Sequence, residues 1–395
     1  MTRSLLVGCF LALCAGCGRK ANDGPPKVGF TRGRERPSVG AGSACFTPDG
    51  ERIIISYSTT IGDDFAVLRD VKTGKRIASL VGLSGPPLCC GFLPDGERVA
   101  LACKDEVVIN RIRGDLVEEC GSFKTHKELG NAILAPSGRI LVTIGTEAGE
   151  EELAAKFRVE GPDMLMPTDL KVWDIEERRL VHRIKGPPNM RPRMAISPDG
   201  THLLLSTTAY HGEDNRTGEI TLLRLAKDVQ VLKRFPAAEG WFSPVAFSRD
   251  GKGLILGSLY MTGKGPGGDL RYWDLGLDKH TKTIKAAFVN LGVSGLRQMT
   301  DGRIVGFLSD SSAMRFRTWN WEEGSEGKDL LLGGPRMGRT ASVPLAGEIW
   351  SQDGEFACTT SGRNGPGAEG IEIQIWDAKT GLRIGRWLDE TGKDL

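Results

Sequence analysis

Seven short polar turns, each ending in glycine, recur along this chain, and no other feature restricts its fold as strongly. They are Thr47-Pro48-Asp49-Gly50, Leu93-Pro94-Asp95-Gly96, Ala135-Pro136-Ser137-Gly138, Ser197-Pro198-Asp199-Gly200, Ser248-Arg249-Asp250-Gly251, Met299-Thr300-Asp301-Gly302 and Ser351-Gln352-Asp353-Gly354. Their glycines lie 46, 42, 62, 51, 51 and 52 residues apart. Proline, where present, presets φ, the Asp side chain bonds its own turn backbone, and glycine accepts positive φ, which together favour a tight hairpin. A period of this length marks a fold assembled from copies of one supersecondary unit.

Each unit carries more than its turn. Runs such as Ala44-Cys45-Phe46, Ala132-Ile133-Leu134, Met194-Ala195-Ile196 and Val245-Ala246-Phe247 precede it, and Ile53-Ile54-Ile55, Leu203-Leu204-Leu205 and Leu254-Ile255-Leu256 follow it. Continuous apolar runs of this length predict strands buried on both faces. A third strand ends in an aromatic-acid pair at Val172-Trp173-Asp174, Tyr272-Trp273-Asp274 and Ile375-Trp376-Asp377, with weaker versions at Leu68-Arg69-Asp70 and Thr318-Trp319-Asn320. A second turn and a fourth strand complete the unit, as in Thr73-Gly74-Lys75 followed by Ile77-Ala78-Ser79-Leu80.

Four strands, a Pro-Asp-Gly turn and a Trp-Asp pair resemble the WD-repeat family over roughly residues 42 to 391. The resemblance implies an all-β chain folded as a β-propeller of about seven four-stranded blades. It also implies that Trp173, Trp273, Trp319 and Trp376 pack between blades. The chain departs from the family pattern in two ways: the Gly-His pair that opens a repeat is absent, with Thr125-His126 as its nearest remnant, and the second and fourth units lack Trp-Asp. Other propeller families, including periplasmic ones with Ser-Pro-Asp-Gly turns, remain open at this point.

Ahead of the repeats, Thr2-Arg3-Ser4 leads into the apolar run Leu5 to Gly16, too short to cross a bilayer comfortably and readable as a secretory signal. Ala15-Gly16-Cys17 resembles a bacterial lipobox, with Cys14 where a Leu is usual; a plain cleaved signal with an incidental Cys is the alternative. The expected organisation is a signal peptide at 1–16, a lipidated Cys17 with a flexible tether at 17–27, and the propeller at 28–395. This places the protein at the bacterial cell envelope, anchored to a membrane through lipid alone and facing the periplasm or exterior.

Of nine cysteines, Cys45, Cys89, Cys90, Cys103, Cys120 and Cys358 fall in the repeats, and none of these pairs has C-x-x-C spacing. They read as small apolar strand residues, with a single disulfide as the alternative. The five histidines, at 126, 182, 202, 211 and 280, fall apart in sequence, and His211-Gly212-Glu213-Asp214-Asn215 matches no standard calcium loop, so no metal or cofactor is expected. Gly263-Lys264-Gly265-Pro266-Gly267-Gly268 reads as a flexible loop rather than a phosphate cradle. A formal net charge of +2 with interleaved signs gives no basis for nucleic-acid binding.

Strand alternation puts the second-to-third and inter-blade connections on one face, where the length variation collects: Gly145 to Asp169, Tyr210 to Glu219, Tyr260 to Asp269 and Ser361 to Glu369. Variable loops on a rigid scaffold favour recognition, although neutral drift also lengthens loops. Inter-blade connections there carry Arg191, Arg193, Trp241, Phe242, Arg336 and Arg339, and Arg beside aromatic residues is the composition of contact surfaces. The candidate face is therefore Arg191, Arg193, Trp241, Arg336 and Arg339, for an unidentified protein partner. A propeller enzyme such as a lactonase or quinoprotein would gather its chemistry on the inner strands, where only Glu348, Arg193 and Arg297 carry charge, and no nucleophile stands beside a base. The sequence thus favours a non-catalytic interaction platform, with an envelope ligand or polymer binder as the alternative.

Overall fold

The computed structural model describes residues 41–61, 64–148, 168–186, 192–210, 216–225, 229–237, 245–262, 265–289, 292–299, 301–309, 314–320, 325–331, 351, 356–365, 368–377, 380 and 382–390. These form strands and turns with no helix, arranged as a seven-bladed β-propeller. Blade 1 is β1 (Ala41–Phe46), β2 (Arg52–Ile61), β3 (Asp64–Asp70) and β4 (Arg76–Ser79), and blade 2 is β5 (Pro87–Phe92), β6 (Arg98–Cys103), β7 (Glu106–Arg113) and β8 (Leu116–Lys124). Blade 3 is β9 (Glu128–Leu134), β10 (Ile140–Thr146), β11 (Asp169–Asp174) and β12 (Arg179–Lys185), and blade 4 is β13 (Arg193–Ile196), β14 (His202–Tyr210), β15 (Arg216–Leu225) and β16 (Val229–Ala237). Blade 5 is β17 (Val245–Phe247), β18 (Gly253–Thr262), β19 (Gly265–Asp274) and β20 (Lys279–Val289), and blade 6 is β21 (Gly292–Gln298), β22 (Ile304–Ser309), β23 (Met314–Asn320) and β24 (Ser325–Leu331). Blade 7 shows β25 (Phe356–Gly365), β26 (Ala368–Asp377) and β27 (Arg383–Glu390).

The turn chemistry repeats from blade to blade. In blade 5 the Gly251 amide donates to the Ser248 carbonyl at 2.9 Å, and Ser248 Oγ donates to Asp250 Oδ1 at 2.7 Å. That carboxylate also accepts from the Lys252 amide at 3.0 Å, while Ser248 Oγ accepts from the Gly253 amide at 2.7 Å. Ser197-Asp199 and Thr47-Asp49 reproduce the arrangement. A hydroxyl two residues before the Asp thus completes the turn. The described turn glycines 50, 96, 138, 200, 251 and 302 all take φ between +70° and +85°.

All these turns share one face. Gly96 sits beside Pro48, Gly138 against the backbone of Phe92 and Leu93, Gly200 against Ala135, and Gly251 beside Pro198, so each turn rests on the preceding blade's. The Arg249 amide continues the series by donating to Gln298 Oε1 at 3.0 Å.

The uninterrupted apolar runs are explained by where alternate residues point. Leu203 and Leu205 face blade 3 while Leu204 faces blade 5; Ile53 and Ile55 face blade 7 while Ile54 faces blade 2. A strand in a propeller blade has a neighbouring sheet on both sides, so both side-chain sets need to be apolar. Burying each such side chain contributes about 1.5–3 kcal/mol. Trp173, Trp319 and Trp376 are buried in this packing and Trp273 is partly so, with Lys233 Nζ 4.1 Å from the centroid of its ring.

The ring closes between the last blade and the first. Phe46, Ile53, Ile55, Tyr57 and Val67 of blade 1 form one core with Cys358, Ile373, Ile375 and Trp387 of blade 7. The third-to-fourth turns add a second set of contacts. Asp70, Asp174, Asp274 and Asp377 each accept from the amide three residues on, at 2.7, 3.1, 2.9 and 2.8 Å. One residue further along, Gly74, Arg178 and Asp278 are left-handed, with φ of 72°, 52° and 49°. Each reaches the preceding blade: Gly74 against the Trp387 ring, Arg178 to the Cys120 carbonyl at 2.7 Å, and Asp278 to Lys233 at 2.8 Å.

Two expectations need correction. Within the spans expected as loops, the described residues Tyr210 and 216–219, 260–262 and 265–269, and 361–365 and 368–369 belong to lengthened strands, laddered to Tyr210↔Arg216, Thr262↔Gly265 and Gly365↔Ala368. Gly265 to Gly268, read as flexible, belong to β19, where Gly267 and Gly268 are paired on both sides and the ladder compensates for their backbone freedom. The residues of the Gly145 to Asp169 insertion from 149 to 167, and loop 211–215, lie outside the described residues.

Two tests follow from the turns and the closing seam. Gly74→Ala and Gly302→Ala each carry left-handed strain of about 1–2 kcal/mol, but a Cβ on Gly74 meets the Trp387 ring at 2.2 Å whereas one on Gly302 meets nothing within 4 Å among the described residues. The Gly74 variant should therefore unfold at clearly lower denaturant, and equal losses would contradict the seam. Hydrogen bonds from Ser248 and then the Lys252 amide hold Asp250 below the usual carboxylate range, so its contribution is complete above pH of about 4 and is lost on further acidification. Asp250→Asn should be less stable at neutral pH and show a shallower acid loss, measured by chemical unfolding at pH 7 and 3.

Candidate functional site

The face opposite the tight turns carries the lengthened hairpins of blades 4, 5 and 7. Of the residues expected to form a contact surface there, Arg193 is described: it begins β13, pairs with Ser206 and is half-buried. Burial lowers the pKa of its guanidinium, and no described residue bonds it. It is thus part of the innermost strand of blade 4 rather than a residue of an exposed connection, and a charge reversal there tests folding as much as binding. Arg191, Trp241, Phe242, Arg336 and Arg339 lie outside the described residues, as do Cys17 and Glu348. Asn131 Nδ2 donates to the Pro192 carbonyl at 2.8 Å, tying the inner strand of blade 3 to the start of blade 4. Strand β9 starts at Glu128, before the apolar run that marked it in the sequence, and so adds a carboxylate to the inner ring.

On the same face, blade 3 holds a group of polar side chains that the sequence reading did not assemble. His126, in the connection from β8, bonds through Nε2 to Thr143 Oγ1 at 3.0 Å. Thr143 Oγ1 also accepts from Trp173 Nε1 at 2.8 Å. Lys171 Nζ donates to the Thr125 carbonyl and, at 2.6 Å, to Glu147 Oε1, which stands 3.7 Å from His126 Nδ1. His126, Thr143 and Lys171 are buried and Glu147 is more exposed. Burial, and after it Lys171, push His126 down to about 4, against the pull of Glu147 and Asp169.

Hydroxyl, imidazole and carboxylate in this order resemble the nucleophile, base and orienting acid of acyl-transfer sites. The resemblance stops at access. Thr143 is fully buried, and its oxygen is already engaged by the Trp173 indole, so no substrate carbonyl reaches it. The cluster binds β10 to β11 and to the blade 2 exit, which is an architectural task. Its sequence signal was Thr125-His126 at the position of a Gly-His pair; Lys171 and Glu147 gave none, since a charged residue at a strand end is ordinarily solvated.

The other described histidines are dispersed: His182 is on the outer strand of blade 3, His202 bonds Thr201 Oγ1 at 2.8 Å near a tight turn, and His280 bonds Thr283 Oγ1 at 2.7 Å on blade 5. Among the described residues no three His, Cys, Asp or Glu side chains are grouped to hold a metal ion. Among the described residues no disulfide joins the six cysteines of the repeats, and five of them are buried. Burial pushes Cys103 and Cys358 up to about 12, so both remain protonated and unreactive.

No family description and no curated protein matches this chain. Among solved structures, it is similar to a chain of Kuenenia stuttgartiensis hydrazine synthase, at 14% identity and a TM-score of 0.57, over 92% of this chain and 99% of that one. At that identity the likeness is one of fold, and the fold it supports is the seven-bladed β-propeller.

Proposed function

We propose that this protein is a non-catalytic interaction platform of the WD-repeat type, lipid-anchored through Cys17 at the bacterial cell envelope, which engages a protein partner with its long-hairpin face. The observation that supports this most is the asymmetry of the disc. One face is closed by short turns that rest on one another, while on the other the second and third strands of blades 4, 5 and 7 run nine or ten residues and remain laddered to their ends. Paired strands present side chains at fixed positions, so a contact surface built on them loses little entropy on binding. Arg336, Arg339 and Trp241, which the strand order in the sequence assigns to inter-blade connections of that face, supply residue types that carry binding energy at interfaces. The envelope address rests on the positive start, the short apolar run and Ala15-Gly16-Cys17.

Affinity capture with the full protein, extracted in detergent, tests the face. Arg336→Glu/Arg339→Glu should lose a captured partner while its melting temperature stays near the wild type; Lys252→Glu, exposed beside the Asp250 turn, should retain it. Loss confined to Lys252→Glu would move the contact surface to the tight-turn face, and retention on cell-wall polymer with no protein captured would favour the polymer-binding alternative. For the anchor, Cys17→Ala should shift the protein from the membrane to the soluble fraction. Membrane retention equal to the wild type would remove lipidation from the proposal.

A further inference from the structure

The polar cluster of blade 3 has features that a purely architectural bond network does not need. The His126 side chain is wholly buried, yet among the described residues its Nδ1 has no hydrogen-bond partner, and neither does Thr125 Oγ1 beside it. Gly145 packs directly on the imidazole, and a Cβ there would meet the ring at 2.6 Å, so the ring is seated against bare backbone.

Proton placement follows from the bonds. Thr143 Oγ1 receives the Trp173 Nε1 hydrogen, and its own hydrogen goes to His126 Nε2 at 3.0 Å rather than to the Lys171 carbonyl at 3.5 Å. With the Thr143 hydrogen on this shorter bond, Nε2 is the acceptor and the neutral ring carries its proton on Nδ1, facing Glu147 at 3.7 Å. A second proton on Nε2 breaks this pattern: two donors then point at each other unless Thr143 turns to the longer bond. It also places an imidazolium beside the Lys171 ammonium, with Glu147 between them as the shared counter-charge.

The other carboxylates near the ring are already shared with cations, and of these only Asp169 adds to the pull of Glu147 on His126. Asp169 of β11 is held by Arg183 at 2.5 Å, and Asp105 and Glu106 of blade 2 are held by Lys124 at 2.9 and 3.1 Å. Lys104, Lys127 and Glu128 complete the charges on the adjoining elements.

We propose that this cluster is an acid-sensitive latch, in which proton uptake at His126 releases the Thr125-His126 connection from blade 3 and opens the seam between blades 2 and 3 on the long-hairpin face. The latch stands independently of the partner proposed above. The folded ring titrates at about 4 and a solvated one at about 6.5. Opening thus takes up a proton between these values, the closed form losing stability as pH falls from about 6.5 toward 4, and the opening equilibrium rises about tenfold per pH unit.

Hydrogen exchange on the intact protein, corrected for intrinsic rates, tests this at pH 7, 6 and 5. Protection of amides 125–131 and 143–147 should fall about tenfold between pH 6 and 5, while amides 46 and 53–55 at the closing seam keep theirs. His126→Gln should remove the pH dependence. Unchanged wild-type protection in these segments, or an equal loss in His126→Gln, would overturn the proposal. Should that variant not fold, the wild-type His126 ring is titrated by NMR: a midpoint near 4 supports the latch and one above 6 overturns it.

Discussion

Apolar contact between neighbouring sheets is the interaction on which this architecture depends. No blade here has a solvent face to spare. Ile54 and Leu204 point one way and their strand neighbours the other, into two separate cores, so an isolated blade would expose both faces to water. Stability therefore belongs to pairs of blades, and six such shared cores are described, from the seam of blades 7 and 1 to that of blades 5 and 6. Turns, caps and ion pairs set the spacing and angle at which the sheets meet; the sheets themselves supply the driving force.

Much of this was legible in the sequence because the restricting residues are local. A short polar turn ending in glycine satisfies its own backbone and has the same shape wherever it occurs, so seven copies, three of them Ser-x-Asp-Gly, could be counted before any contact was known. The aspartate of each Trp-Asp pair is equally local, since it caps the turn that follows it. Failures came where a local rule met a nonlocal ladder. Gly265-Pro266-Gly267-Gly268 is a loop by composition, yet β18 pairs all four residues and β20 pairs Gly267 and Gly268, which holds the segment as strand. Glycine alone carries no information about that pairing.

The candidate sites divide in the same way. Lys171 and Glu147 are 24 residues apart, and only the closure of β10 on β11 brings them together beside the His126 imidazole. Arg193 shows the converse: its type suggested a contact residue, but its place at the first position of an inner strand makes it half-buried. Residue type constrains what a side chain can do in water, whereas burial decides whether it meets water at all.

The turns after the third strands of blades 1, 3 and 5 reach the preceding blade, and this gives the ring a direction in time. As the chain is synthesised, Arg178 finds blade 2 already present and Asp278 finds blade 4, so each blade docks on a finished neighbour. Gly74 is the exception, because the ring it rests against is Trp387 of blade 7, which follows blade 1 by five intervening blades. Until that residue emerges, blade 1 keeps one bare apolar flank. Closure is thus the final event of assembly rather than a gradual one, and a nascent chain lacking its last strand would present that flank to any chaperone nearby.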